Sequence, residues 1–359
     1  MNISMRTSVS AAAFAAVFSA AVGTALAAET INLTAVSGYA PTASWVKIFE
    51  EYFIPQVDKA LAEKGDYVIN WNKGFSGTVV KPRGELDAVS SGVADLAIVV
   101  PAFHVDKLPL HAVSFVTPFA TGDLHLVTRA MSKIAEEVPE FTQEWSDLGV
   151  HYIGPAGSVD NYEAVCKTNK PNPKDFDGVK IAGAGTNLLY FKGVGGVGVN
   201  SNLGDFYNAM QTGIAECSSV WAEAAAGFKL YEVAPYFIKA DMGAVTSFAI
   251  AANETYWETL PEPVKEAIEE ATAGYGTALA DYVVAAADAS LETYKANGGT
   301  IVQYTQEQRQ EMAAGMPNIA KEWAEAADKA GKPGSKILTM YMDMLRANDQ
   351  EIAREWDKE

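Results

Sequence analysis

Histidine, cysteine and reactive-site patterns are scarce in this chain. Four histidines, His104, His111, His125 and His151, are scattered, and none falls in an HExxH pattern. The two cysteines, Cys166 and Cys217, have no CxxC spacing or histidine cluster around them, which removes the usual zinc patterns. A GxSxG elbow and a Walker phosphate loop are missing too, so nothing in the residue order makes a case for a hydrolase or a nucleotide-driven enzyme. Positive charge is also short: 27 Lys and Arg stand against 45 Asp and Glu, a formal net charge of -18. A chain that acidic is repelled by nucleic acid and by anionic membrane surfaces, so neither is expected as a partner. Internal repeats, low-complexity linkers and blocks of like charge do not occur.

What the chain does have is an address. Arg6 precedes an apolar run from Val9 to Val22, and Ala25-Leu26-Ala27 closes it in a small-x-small cleavage pattern. The run is shorter than the roughly 20 apolar residues a membrane span needs. Residues 1–27 therefore read as a cleaved signal peptide, with the mature protein beginning near Ala28 and working in the periplasm. No comparable apolar run follows. The remaining chain is long enough for two domains. Outside the cytoplasm an even cysteine count permits a Cys166–Cys217 bridge; the alternative is two separate buried thiols. No cofactor and no metal is expected.

Periodicity predicts alternating strands and helices. Ile31–Ser37, Tyr67–Trp71 and Asp95–Val100 read as strands. Trp45, Ile48, Phe49, Tyr52 and Phe53 share one face of a helix, Gly84–Ser91 is a short helix, and Leu124–Leu148 reads as one long helix. The second half repeats the rhythm, with strands near Tyr152, Ala164–Lys167, Lys180–Ala182, Ile214–Val220, Val245–Ala252 and Ile301–Tyr304. A long helix is predicted from Pro263 to Ala296, stopped by Asn297-Gly298-Gly299. Thr305 and Gln308 form a capping box for the next helix. Such alternation predicts an α/β layered fold. An apolar strand and a long helix after a complete second α/β unit imply that the chain returns to the first domain. Several crossings between two lobes make a hinge.

Gly193-Val194-Gly195-Gly196-Val197-Gly198 matches GxGxxG, the pattern of a dinucleotide loop. That loop must follow a strand and open a helix. Here the pattern follows the helical segment 186–192 and runs into Val199-Asn200-Ser201, so it reads as a helix-to-strand connection. More informative are Tyr39, Phe75, Phe103 and Trp221, which cluster at predicted strand ends, where open α/β sheets hold their ligands.

Three segments carry a family resemblance. The first is 81–97, Lys-Pro-Arg-Gly-Glu-Leu-Asp-Ala-Val-Ser-Ser-Gly-Val-Ala-Asp-Leu-Ala. The second is Asn169-Lys170-Pro171 followed by Lys174-Asp175-Phe176-Asp177-Gly178-Val179-Lys180-Ile181. The third is Phe206-Tyr207-Asn208-Ala209-Met210-Gln211-Thr212-Gly213-Ile214-Ala215-Glu216. With Trp257-Glu258-Thr259-Leu260-Pro261 they lie in the right order over nearly all the mature chain. The sequence resembles the extracytoplasmic solute receptors of tripartite ATP-independent periplasmic (TRAP) transporters, of the dicarboxylate-receptor type. The resemblance implies a two-lobe periplasmic binding protein clamshell with crossing strands and a long helix between lobes. The boundaries it suggests are 28–153 and 243–285 for lobe I, and 154–242 and 286–359 for lobe II, the last with the C-terminal helices. It further implies that a small organic solute closes the lobes, that the closed form docks on the membrane subunits of a TRAP permease, and that no chemical step occurs. A monomer is expected. Some relatives pair cysteines at these two positions, which supports the disulfide.

One departure matters. The family usually holds a ligand carboxylate with an Arg at the end of its Lys-Ile-Arg stretch, and a guanidinium fork suits a carboxylate. This chain has Ala182 there. Two readings stay open. The ligand is an organic acid held by another cation, for which Lys81 and Arg83 are the candidates. Or it is neutral or cationic, with Trp221 stacking on it and Glu223 pairing with a positive group. Tyr39, Phe75, Phe103, Asn187, Leu203 and Trp221 complete the expected ligand site. A binding protein of an ABC or chemoreceptor system is the alternative with the same ligand chemistry, and a periplasmic hydrolase the alternative with turnover.

Overall fold

A computed structural model describes residues 28–359; the signal-peptide reading of residues 1–27 lies outside the described residues. Eleven strands among them form two sheets. In chain order they are β1 (Glu29–Val36), β2 (Tyr67–Gly74), β3 (Leu96–Val99), β4 (Val150–Val159), β5 (Glu163–Cys166), β6 (Lys180–Gly183), β7 (Val197–Asn200), β8 (Cys217–Val220), β9 (Tyr236–Lys239), β10 (Val245–Asn253) and β11 (Thr300–Gln303). The first sheet has the order β2-β1-β3-β10-β4 and the second β11-β9-β5-β8-β6-β7. Each is covered by helices and forms one lobe of a two-lobe α/β molecule.

The lobes share a ribbon. β4 runs antiparallel to β10 in the first sheet, and its continuation β5 runs antiparallel to β9, the predecessor of β10, in the second. Between the sheets the two passing segments stay bonded: Tyr162 N–H donates to the Gly243 carbonyl, Met242 N–H to the Tyr162 carbonyl, and Gly243 N–H to Asn161 Oδ1. The buried Glu163 carboxylate accepts from the backbone N–H groups of Ala240 and Asp241. A helix of 35 residues, Glu262–Ala296, makes the third crossing. Its first half packs on β4 and on the helix Ile54–Lys64; its last turns reach the second lobe, where Tyr294 meets Phe237 and Tyr231 edge-on.

The sequence reading holds for most elements and fails informatively at a few. The predicted helix Leu124–Leu148 is two helices, Leu124–Glu137 and Pro139–Ser146. Pro139 lacks an N–H and pushes Val138 out of helical space, to φ -127° and ψ 91°. The helix carrying Trp45 and Phe53 contains a π-helical turn, Phe49–Phe53. The GxGxxG segment leaves a 3-10 stretch, Gly185–Val194, and enters β7, as a helix-to-strand connection should. The Thr305–Gln308 capping box forms in both directions. The C-terminal helices Ile319–Lys329 and Gly334–Ala347 pack on Val113–Val116, and the second of them also on Leu124–Glu137, all beside the first sheet, whereas the boundary at 286 groups them with the second. Among the described residues no helix is long and apolar enough to cross a membrane.

Cys166 and Cys217 face each other across β5 and β8 and are bonded. The bridge spans a sequence separation of 51 residues, for which loop-closure entropy gives about 4 kcal/mol of stabilisation. Replacing both cysteines by alanine should lower the denaturant midpoint accordingly; an unchanged midpoint would remove the bridge from the stability account. His111 is a second handle. It is buried among Phe141, Trp145 and Tyr152, and its Nε2 accepts from Trp145 Nε1–H at 2.7 Å. Burial, aided by the charge of Lys332, holds its pKa down near 3, against a raising contribution from the Phe141 carbonyl. A folded pKa below the unfolded value of about 6.5 means that this stability is whole above pH ~6.5 and is lost as pH falls toward 3. Between pH 6.5 and 5 the loss is up to about 2 kcal/mol. Urea titrations of His111→Gln should show a flatter acid limb than the parent; parallel limbs would contradict it.

Candidate functional site

The site begins where the strand ends of the two sheets face each other. After β1 the chain turns through Ser37 and Gly38 into Tyr39. A Cβ on Gly38 would sit 2.2 Å from Pro82 N, so only glycine lets the 81–82 segment lie against this turn. Tyr39 meets Trp45 edge-on at 5.0 Å, and Trp45 stacks on Phe248 at 4.6 Å. These rings form the first-lobe wall, extended by Phe103 and Phe115. The second lobe supplies Trp221, just past β8, with Leu203 and Phe206. Tyr162, on the crossing ribbon, touches Trp221 at 5.8 Å and closes the back. The lobes come close enough that a Cβ on Gly185, whose φ is +64°, would lie 2.9 Å from the Ala102 carbonyl oxygen.

The space between the lobes measures about 520 Å³, open solvent at its mouth included, which suits a compact molecule better than a long chain. Five polar residues border this otherwise apolar space: Tyr39, Tyr162, Asn187, Ser219 and Ser247. Burial raises the Tyr39 hydroxyl far above its ordinary value and pushes Tyr162 up to about 12, the latter partly offset by a hydrogen bond with Asn187. Both phenols are neutral donors at any physiological pH.

Among the described residues no Lys, Arg, His, Asp or Glu lines the cavity. Charged groups stand one layer behind. Glu223 Oε2 accepts from Trp221 Nε1–H at 3.1 Å and from the Ser44 hydroxyl across the lobes at 3.2 Å. Burial raises its pKa, and those two bonds lower it in part. Arg83 lies over the Phe103 ring at 4.6 Å and crosses the cleft, donating from Nε to Asn202 Oδ1 at 2.8 Å and from a terminal nitrogen to Asn200 Oδ1 at 3.0 Å. Its backbone is left-handed, φ 79°, a conformation that costs a non-glycine residue roughly 1 kcal/mol or more.

Of the residues proposed from sequence, Tyr39, Phe103, Asn187, Leu203 and Trp221 meet in the cavity. Phe75 does not; it is buried edge-on against Phe49 at 5.9 Å. Lys81 does not; its ammonium bonds the Gly77 carbonyl at the surface. Arg83 and Glu223 sit behind the lining. Ala182 is fully buried and does not border the cavity. It pairs with Ser218 in β8, one position out of phase with the cavity-lining Ser219. Position 184, past the end of β6, is the one that reaches the cavity. Trp45, Phe248, Ser219 and Ser247 were missed. The serines left a signal: hydroxyls inside the buried apolar strands 217–220 and 245–252 need a reason.

The sequence profile of the family described as bacterial extracellular solute-binding protein, family 7 (DctP) matches residues 56–326. Solved structures share the fold at low identity. A TRAP solute binding protein from Rhodoferax ferrireducens, in complex with copurified benzoate, is 17% identical with a TM-score of 0.77, over 88% of this chain and 98% of that one. DctP7 of Bordetella pertussis, an extracytoplasmic solute receptor binding pyroglutamic acid, is 17% identical with a TM-score of 0.74, over 87% and 99%. The periplasmic ectoine-binding protein of the TeaABC TRAP-transporter of Halomonas elongata is 18% identical with a TM-score of 0.74, over 88% and 100%.

A double-mutant cycle of Arg83→Ala and Asn202→Ala in denaturant unfolding should give a coupling of about 1 kcal/mol. Zero coupling would show that the lobes part in solution without ligand.

Proposed function

The chain belongs to family 7 of the bacterial extracellular solute-binding proteins, and we propose that it captures a compact organic solute without net negative charge by closing its lobes around it. The single observation that carries this is that, among the described residues, no cation lines the interlobe cavity walled by aromatic rings. Enclosing a carboxylate there would remove it from water with neutral donors but no cation to offset the lost hydration, at a cost of several kcal/mol. An aromatic wall instead favours a ring stacked on Trp45 or Trp221, or a cation over their faces. The solved relatives named above bind benzoate, pyroglutamic acid or ectoine, so the same fold accommodates compact cyclic solutes.

Capture is the whole activity in this reading. Contacts from both lobes stabilise the closed form, and only the difference in affinity between closed and open forms shifts the population. The closed surface then docks on the membrane subunits of a TRAP permease, and the receptor works as a monomer in the periplasm with no catalytic step. The organic-acid reading would need Arg83 to give up Asn200 and Asn202 and to move past Phe103.

A thermal-shift comparison of benzamide, benzylamine and benzoate tests the charge requirement, because a ligand of the folded state raises the midpoint by mass action. Benzamide and benzylamine should each raise it more than benzoate at pH 8. A larger shift with benzoate that disappears in Arg83→Ala would restore the acid reading.

A further inference from the structure

We infer that Ser219 and Ser247 are the residues that select the solute, by hydrogen-bonding an uncharged polar group on its ring such as an amide, an alcohol or a phenol. The inference rests on the capture reading and narrows its ligand class. Ser219 is 1% exposed and Ser247 4% exposed, both border the cavity, and neither hydroxyl has a partner in the protein. More than nine in ten buried polar groups in folded proteins are paired, so two orphans on one cavity are a departure that needs a cause. Each is worth more unpaired in cost than it returns when paired with a neighbour inside the fold.

Their placement is matched to the task. Ser219 is in the second sheet, in β8 opposite Ala164, two residues before the stacking Trp221. Ser247 is in the first sheet, at the irregularity in β10 where pairing with β4 skips from Thr246 to Phe248. A bulge takes one residue out of the ladder and re-aims its side chain. The neighbours Thr246 and Phe248 remain paired, and Phe248 carries the ring under Trp45. One hydroxyl therefore comes from each lobe, and each follows or precedes an aromatic wall residue by two positions or fewer. A hydroxyl both donates and accepts, so a neutral group that does the same satisfies both, whereas a hydrocarbon leaves both unpaired. Closing on a ring with the right substituent is favoured; closing on a bare ring of equal size is not. Neither serine is needed by the packing around it, since alanine fills nearly the same space.

Isothermal titration of purified full-length protein with benzamide and with toluene, at millimolar concentrations, tests this on the parent, Ser219→Ala and Ser247→Ala. The parent should prefer benzamide. Each substitution should weaken benzamide roughly five- to tenfold and leave toluene within about twofold. Thermal midpoints of the ligand-free variants should equal or exceed the parent's, since an unpaired buried hydroxyl is removed; a fall in midpoint matching the loss of affinity would make the serines structural and overturn the inference. Equal benzamide affinity in all three proteins would also overturn it while leaving capture by closure intact. Tighter binding of benzoate than of benzamide by the parent would instead bring down the uncharged-solute reading on which the inference rests, and an absence of benzamide binding would overturn the inference.

Discussion

Everything in this molecule hangs on one antiparallel ribbon that belongs to two sheets at once. Chain segments 150–166 and 236–253 pair in the first lobe, pass the gap bonded through Tyr162, Asn161 and Gly243, and pair again in the second. A connection made of two strands resists shear and allows bending, so the lobes can approach and part but cannot slide. Glu163 reinforces it: a buried carboxylate that accepts two backbone N–H groups from the partner segment leaves the ribbon little freedom at the second-lobe end. The strand ends that flank the ribbon are thereby aimed at one another, and the cavity is where they meet.

That constraint explains why the aromatic residues lie as they do. Tyr39, Trp45 and Phe248 form a packed cluster on one lobe, and Trp221 is held from behind by Glu223 on the other. Rings with two rotatable bonds lose little freedom on closure and present broad faces. The charged groups Arg83 and Glu223 stand one layer out, where they hold the walls instead of lining the cavity. Arg83 is the plainest case. It occupies the region where a cation for a carboxylate would be sought, yet two of its N–H groups bond asparagines of the opposite lobe and its head lies over Phe103.

Much of this was legible in the residues. Apolar runs such as Val245–Ala252 and the capping pair Thr305 and Gln308 announce their elements, and the return of the chain after a finished α/β unit announces the two lobes. The long helix was legible from its caps. Local pattern failed where a tertiary reason decides. Val138-Pro139 breaks a helix whose periodicity continues across the break. β7 and β9 are short edge or inner strands whose four residues carry no alternation of their own. In the site, strand-end aromatics such as Tyr39 and Trp221 were visible because the fold class fixes which ends face the crevice. Ser247 was not, since its exposure to the cavity comes from a bulge, which has no sequence spacing. Ala182 misled for a related reason: a gap in a family pattern marks what is absent, and strand phase decides which neighbour is present.

The helix Glu262–Ala296 extends about 50 Å, and it is gripped at both ends, by β4 and Ile54–Lys64 on one lobe and by Tyr231 and Phe237 on the other. A rod fastened that way behaves as a leaf spring across the cleft. Every change of the angle between the lobes must flex it or drag one of its grips, so its stiffness limits the stroke.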